Sequence, residues 1–394
     1  MADLFQIQDK FQEKEESQKK SRNKVLTITI SVIVGVIALG ILIYFLTNRC
    51  YTGYKVQNQV ERSDSNNVNY TYFNNNILKY SGSGINALDN QGNSLWNGGF
   101  EMKQPQIDMC DGYVVVADIN GKQFYVYNGK DEGKSMETAL PIVRAKVAGQ
   151  GVVAALLQDA DSDVLNIYNP YSSTERLLVE IPSNVSEEGY PIDFDISPDG
   201  QTVVIAYLIV KGNEVETQVN FYNFTDVGQD KNTLVGGKSF KNSMVSCIEF
   251  VGEDKVAIFH ETGYSVFKGM KQPELDYEKN FTEEIRSMAY NDKYIAVVVQ
   301  QAEKESDQLL YLYNISGGQK LKKKISYEYS DMNIYNDEIL FWSSHECHVL
   351  RKNGREKFAC DFKEEIEMLY PTGNKRVYTL VDAVSIQKIK LAMG

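Results

Sequence analysis

Eight times after residue 76 a polar turn feeds a short apolar run: ILKY from Ile77, YVVVAD from Tyr113, VVAALL from Val152, TVVIAYL from Thr202, KVAIF from Lys255, YIAVVV from Tyr294, EILFW from Glu338 and RVYTLV from Arg376. Successive starts lie 36, 39, 50, 53, 39, 44 and 38 residues apart, a mean of about 43. Short runs rich in β-branched residues and bounded by Gly, Asn and Asp read as strands. A strand-built unit that recurs every 40–50 residues or so is the pattern of a β-propeller blade, whose apolar faces only neighbouring blades can cover. The expected fold is therefore all-β, an eight-bladed β-propeller, with seven blades as the alternative count.

A second repeat supports the first. FYVYN (124–128), LNIYN (165–169), VNFYN (219–223) and LYLYN (310–314) each end an apolar alternation on Tyr-Asn. Alternation sends Tyr125 and Tyr127 to one face of a strand and Phe124 and Val126 to the other. In this reading the motif closes the third strand of a blade. The Tyr covers a neighbouring blade, and Asn starts the turn to the outer strand by accepting a positive φ or bonding its own backbone. In the first unit Asp89-Asn90 takes this place.

The last unit has only three strands, in EIEMLYPTG, KRVYTLVD and AVSIQKIKL. An unpaired edge there would leave the ring open. The leader GYKVQNQVE (53–61) is expected to supply the missing outer strand by pairing near residues 385–391. Its Tyr54, Val56 and Val60 alternate with polar residues, as if one side were wet. NYTYF (69–73) then becomes the innermost strand of the first blade. If the leader is only a linker, seven blades is the better count.

Residues 25–47 carry no charge over 23 positions. At 1.5 Å per residue this crosses about 30 Å of hydrocarbon, and it is longer than a cleavable signal's apolar core of roughly 7–15 residues. It reads as an uncleaved signal anchor, a single transmembrane helix. Six Lys and Arg precede the span closely (Lys10, Lys14, Lys19, Lys20, Arg22, Lys24) and three follow it (Arg49, Lys55, Arg62), which places the N-terminus in the cytoplasm. The expected organisation is a cytoplasmic head at 1–24, the span at 25–47 and an extracytoplasmic propeller at 48–394. The head reads as a charged extension of the helix; its Leu4, Ile7 and Phe11 would share one face and could dock a partner. The formal net charge is −12; the residues through the span are near neutral and the remainder is net −13, which argues against nucleic acid as a partner.

NILKYSGSGINALDNQGNSLW resembles the repeats of quinoprotein-type propellers, and DFDISPDGQTVVIAYL is similar to those of WD40-like propellers. With QPQID, GQGVVAALLQD and NFYNFTDVGQ behind a single anchor, the chain resembles a family of single-pass membrane proteins from Gram-positive bacteria. The resemblance spans nearly everything after residue 25. It implies topology and fold and carries no activity, so it transfers no site residues.

Chemistry is sparse. A quinone cofactor, as the quinoprotein resemblance would imply, calls for adjacent cysteines and a Trp floor; the chain has no vicinal Cys pair and only Trp96 and Trp342. No cofactor is expected. SHECH holds His345, Cys347 and His348, but strand alternation points His348 away from the other two, and the C-x₂-C spacing of a zinc site is absent. Asp159, Asp161 and Asp163 in DADSD resemble the start of a calcium loop, yet Val164 stands where Gly is needed and Pro170 where Glu is needed; a hairpin turn explains them. In HETGYS a four-residue turn would set His260 opposite Ser265, with no acidic orienter evident beside them.

Five cysteines suggest buried free thiols rather than a disulfide framework. One pair can be placed. With Asn353-Gly354 as a two-residue hairpin turn, Lys352 faces Arg355 and Cys347 faces Cys360. Counting outward makes that a non-hydrogen-bonded pair with Cα atoms about 4.5 Å apart, just inside the range of a strained, reducible disulfide. The function expected is a membrane-anchored binding or scaffold module whose loops engage another envelope protein or a cell-wall component. The alternative is a propeller enzyme with catalytic residues scattered over its loops.

Overall fold

The computed structural model describes residues 24, 26–45, 48–62, 64, 67–159, 162–225, 228, 233–301 and 307–394. The chain divides into two compact units, Met1–Cys50 and Tyr51–Gly394. In the first, helix α1 (Leu26–Phe45) is long and apolar enough to cross a membrane. The expected head lies outside the described residues except for Lys24.

The second unit is an eight-bladed β-propeller of eight four-stranded antiparallel sheets. In blades 1–7 four consecutive strands, a to d, make one sheet. The a strands of several neighbouring blades touch, which marks them as innermost. Blade 1 opens with Asn69–Phe73 as its inner strand. Blade 8 takes Ile366–Pro371, Val377–Asp382 and Ser385–Ala392 from the C-terminus, and its outer strand is Gly53–Glu61. That strand pairs from Gly53↔Ala392 to Glu61↔Ser385, as the leader's pattern predicts. The ring is thus shut by joining the two ends of the propeller's chain. The expected one-sided burial of the leader fails, however: Val56 and Val60 are exposed. A bulge between Val56 and Asn58 shifts the side-chain parity, and a rim strand has little beyond it to pack on.

Closure reaches one blade further than the pairing. Tyr51 N donates to Lys357 O at 2.9 Å and Ala359 N to Tyr51 O at 3.1 Å, so the strand's leading residue clips onto the outer strand of blade 7. Tyr51 is buried there with Leu340, Cys347, Phe358, Tyr378 and Leu391.

The Tyr-Asn motif has both of its expected roles. Phe124 and Val126 pack toward blade 3 and Tyr127 toward blade 1, where Tyr127 stacks on Trp96 at 5.7 Å. Asn128, Asn169 and Asn223 then accept the backbone N–H two residues on, at 2.8, 3.1 and 3.1 Å. Asn314 accepts Gly318 N at 2.6 Å, and Asp89 accepts Gln91 N at 2.7 Å. The side chain thus closes the turn by bonding its own backbone.

Blade 7 corrects the cysteine geometry. Cys347 is paired with Cys360 across strands c (Glu346–Arg351) and d (Glu356–Asp361). The turn between them is one residue longer than expected: Arg351 N donates to Arg355 O, Gly354 N donates to Arg351 O, and Gly354 has φ +78, a type I turn closed by a left-handed glycine. Lys352 therefore does not face Arg355. A second irregularity, between Val349 and Leu350, restores the register. The class of the pair also differs. Phe362 N bonds His345 O at 2.7 Å, and Ala359 N turns outward to Tyr51. Counting two residues from 345/362 makes 347/360 a hydrogen-bonded pair, with Cα atoms about 5.5 Å apart. Of the five thiols, only Cys347 is buried; Cys50, Cys110, Cys247 and Cys360 are partly exposed.

Candidate binding cleft on the loop face

Because strands alternate in direction, the d-to-a connections and the b–c loops share one face of the disc, and the a–b and c–d turns share the other. The Tyr-Asn turns lie on the second, turn face. Gly53 begins an outer strand, so that strand also starts on the turn face.

Blade 4 projects on the loop face. Its b and c strands, Thr202–Lys211 and Glu214–Asn223, are ten residues each, against six in blades 3 and 5. They pair throughout, from Thr202↔Asn223 to Lys211↔Glu214. Gly212 at φ +64 supplies the turn, which needs a left-handed first residue. The inner strand (Tyr190–Ile196) pairs only as far as Leu208, and the outer strand (Leu234–Lys241) only from Glu216. The hairpin tip therefore stands free of its own blade. Val210 is 58% exposed and Val215 37%, with Tyr190 (58%) and Met244 (41%) on the same face.

Beside this hairpin, between blades 3 and 4, lies a cleft of about 690 Å³. One wall is the d-to-a connection of blade 3, a single helical turn, α2 (Val185–Glu188). Asn184 caps it by accepting Ser186 N at 3.1 Å, while Glu188 accepts Asn184 N at 3.1 Å. Gly189, at φ +93, lets the turn end against Leu208 O, where a Cβ would sit 2.5 Å away. The other wall holds Gln158, Asp159, Ser162 and Asp163 from the b–c turn of blade 3, and Lys211 stands at the tip of the blade 4 hairpin. Asp159 and Asp163 flank a hairpin turn, as expected of DADSD: Gln158 pairs with Asp163, and Asp159 N bonds Ser162 O at 2.9 Å. Asp161 lies outside the described residues, and no group of three metal-ligating side chains occurs among the described ones.

The innermost strands of blades 2–5 carry a charge cluster that sequence reasoning missed. Lys146 Nζ lies 2.9 Å from Glu249, 3.5 Å from Asp108 and 3.9 Å from Asp195; Arg144 pairs with Asp193. The carboxylates also bind backbone of the next blade: Asp108 accepts Val147 N at 2.8 Å, Asp193 accepts Ile248 N at 2.7 Å and Asp195 accepts Phe250 N at 2.7 Å. Burial pushes all three aspartic acids up, Asp195 well above the ordinary range. Burial opposes the charge on Lys146, but Asp195, Asp108 and Glu249 outweigh it and hold the ammonium above its usual value. The cluster stitches four blades together. The only signal in the sequence was charge on inner strands, at alternate positions in RAK and DFD and singly in QID and IEF.

The other singled-out residues are not brought together. His260 faces Gly263, and Ser265 faces Ile258, because the HETGYS turn has two residues and not four. Ser265 donates to Glu278 at 3.1 Å, and Thr262 Oγ1 meets His260 Nδ1 at 3.2 Å; the acid holds the serine rather than the histidine, the reverse of a triad's order. Burial lowers the His260 imidazole. His348 lies between Glu356 and Glu346 at 2.7 Å each and stacks on Tyr327, while Cys347 is in the core on the other side of the strand, as alternation requires.

Among solved structures the ring is similar to BamB from Moraxella catarrhalis, at 9% identity and a TM-score of 0.52 over 86% of this chain and all of that one. It is similar also to a eukaryotic initiation factor, at 10% and 0.54 over 86% and 87%. A looser likeness, with a TM-score of 0.44 at 10% identity, links 73% of this chain to 50% of an acylaminoacyl peptidase of Pyrococcus horikoshii. At such identities the first two likenesses show the fold alone. No curated protein matches the sequence. Residues 47–391, nearly the whole ring, match the family of unknown function DUF5711, and the chain belongs to that family.

Proposed function

We propose that this protein is a membrane-tethered docking module. Helix α1 anchors it with the N-terminus in the cytoplasm, the ring stands outside the cell, and the loop face of blades 3–5 binds another protein of the envelope. The observation that carries the reading is the blade 4 hairpin. Its tip extends past both neighbouring strands and presents Val210 and Val215 beside Tyr190 and Met244. Exposed apolar and aromatic side chains grouped on a rigid frame mark interaction surfaces, and propellers commonly carry function on their loops. A polar cleft opens at the foot of the same hairpin.

The test is a photo-crosslinking amino acid placed at Val210 or Val215 in intact cells, with Lys130 on the turn face as the control. The expected result is one dominant protein adduct from the hairpin positions and none from the control. Equal adducts from all three positions, or attachment to wall polymer and not to protein, would overturn the reading.

A further inference from the structure

The hairpin's apolar tip does not account for one side chain at the floor of the cleft. Strand c of blade 3 (Asp163–Tyr168) sends Ile167, Leu165 and Asp163 to one side. Ile167 and Leu165 fill the seam between blades 3 and 4 against Phe194, Ile205 and Tyr207. Asp163 ends that row at 6% exposure. Its main-chain oxygen accepts Ser183 Oγ at 3.0 Å, but its carboxylate takes no hydrogen bond and no ion pair from any described residue. Burial alone pushes this carboxyl up.

A carboxylate on a side chain this deeply set, with no protein partner, is unfavourable, and here its oxygens reach solvent only where the seam opens into the cleft. Asp159 and Glu187 line the same space, and Lys211 is the one basic residue among the lining side chains. The exposed Tyr190 ring stands at the rim, where it can cover a cation.

We propose that the cleft between blades 3 and 4 receives a basic side chain, lysine or arginine, of the docked protein, with Asp163 as its ion-pair partner. The proposal rests on the docking reading above. A neutral ligand such as a sugar could hydrogen-bond the carboxylate but would leave its charge uncompensated, whereas an ammonium or guanidinium answers both the charge and the lost hydration.

The full chain in nanodiscs is titrated with fluorescent pentapeptides Gly-Arg-Gly-Arg-Gly, the Lys counterpart and the citrulline counterpart, which keeps arginine's shape without its charge. The basic peptides should bind on the order of 10-fold more tightly than the citrulline peptide. Asp163→Asn should erase the difference without lowering Tm, because it removes an uncompensated buried charge; Glu132→Gln, a remote exposed acid, should leave it intact. If Asp163→Asn does not fold, Lys211→Glu at the exposed tip serves instead and should tighten the basic peptides several-fold. Equal binding of the citrulline peptide, unchanged selectivity in Asp163→Asn, no effect of Lys211→Glu, or displacement of the Arg peptide by chitotriose would each overturn the proposal. The two readings fail separately. Loss of the hairpin adduct in the native chain defeats docking. An undiminished adduct in Asp163→Asn defeats only the basic side chain.

Discussion

Cys347 stands opposite Cys360 as a hydrogen-bonded pair in the outer hairpin of blade 7, beneath the Tyr51 clip. Such pairs place Cα atoms about 5.5 Å apart, within the range of disulfides, but hold Cβ atoms farther apart than the 3.5–4.5 Å or so that a relaxed bridge needs. Both thiols are pushed up, each chiefly by burial, Cys347 well above its usual range, so little of either is the reactive thiolate. The native chain should therefore react slowly with iodoacetamide at both sites until it is unfolded. Copper phenanthroline should give an intramolecular bridge that millimolar dithiothreitol reopens, seen by non-reducing mass spectrometry and absent in Cys360→Ser. A bridge that survives that reductant would show relaxed geometry and contradict the pairing class.

Ring closure depends on residues 51–61. Deleting 51–62 removes the outer strand of blade 8 and the clip onto blade 7 together, so the whole disc should lose its cooperative melting transition. Tyr51→Ala is the finer probe. It empties a buried aromatic site and should cost about 3 kcal/mol, read as a lowered midpoint in denaturant. An unchanged transition after the deletion would mean that closure lies elsewhere.

Lys146 balances three carboxylates, that of Asp195 buried and those of Asp108 and Glu249 half-buried. Lys146→Met should cost about 3–5 kcal/mol, because it leaves Asp108, Asp195 and Glu249 facing one another without a cation. Adding Asp195→Asn should recover part of that loss by removing one of the repelling charges. If the double variant is no more stable than the single one, the cluster does not act as an ion network.

The architecture was legible because a blade is a local object. Turn residues and period-two alternation placed the b strand of every blade, from Ile77 to the run at Arg376, and the strand missing from blade 8 was visible as a deficit. The pairing of Cys347 with Cys360 was legible for the wrong reason: the turn at Gly354 and the irregularity beside Val349 each shift the register by one, and the shifts cancel. The Lys146 cluster was not legible. Alternation says which side of a strand a residue takes, but not that Asp108, Lys146, Asp195 and Glu249, on four different blades, converge. Asp163 was read as part of a turn, since nothing local reveals that blade 4 closes over one side of it.

Orientation can be read with single cysteines in a cysteine-free background. With the ring outside the cell, a membrane-impermeant maleimide applied to intact cells should label Glu132→Cys and Lys322→Cys but not Lys14→Cys until the membrane is permeabilised. The opposite pattern would place the ring in the cytoplasm and remove envelope proteins as partners.

High pH should unfold the ring cooperatively. Burial pushes the phenols of Tyr207, Tyr264, Tyr290, Tyr370 and Tyr378 far up, and those of Tyr127 and Tyr277 up to about 12. A phenol with a raised folded value keeps its proton in the fold after the unfolded chain has lost it near 10.0. Stability therefore holds below that pH and falls as pH rises toward the folded values. Tyr127 alone would account for about 2 kcal/mol by pH 12. Lys146 works in the same direction above 10.5, where the unfolded chain loses an ammonium that the carboxylate cluster retains. Absorbance at 295 nm should show exposed tyrosines ionising first. The buried set should follow in one step that coincides with loss of β-sheet circular dichroism. Gradual ionisation of all 25 tyrosines with the sheet signal intact would show that the blade interfaces admit water and that these rings are not held dry by packing.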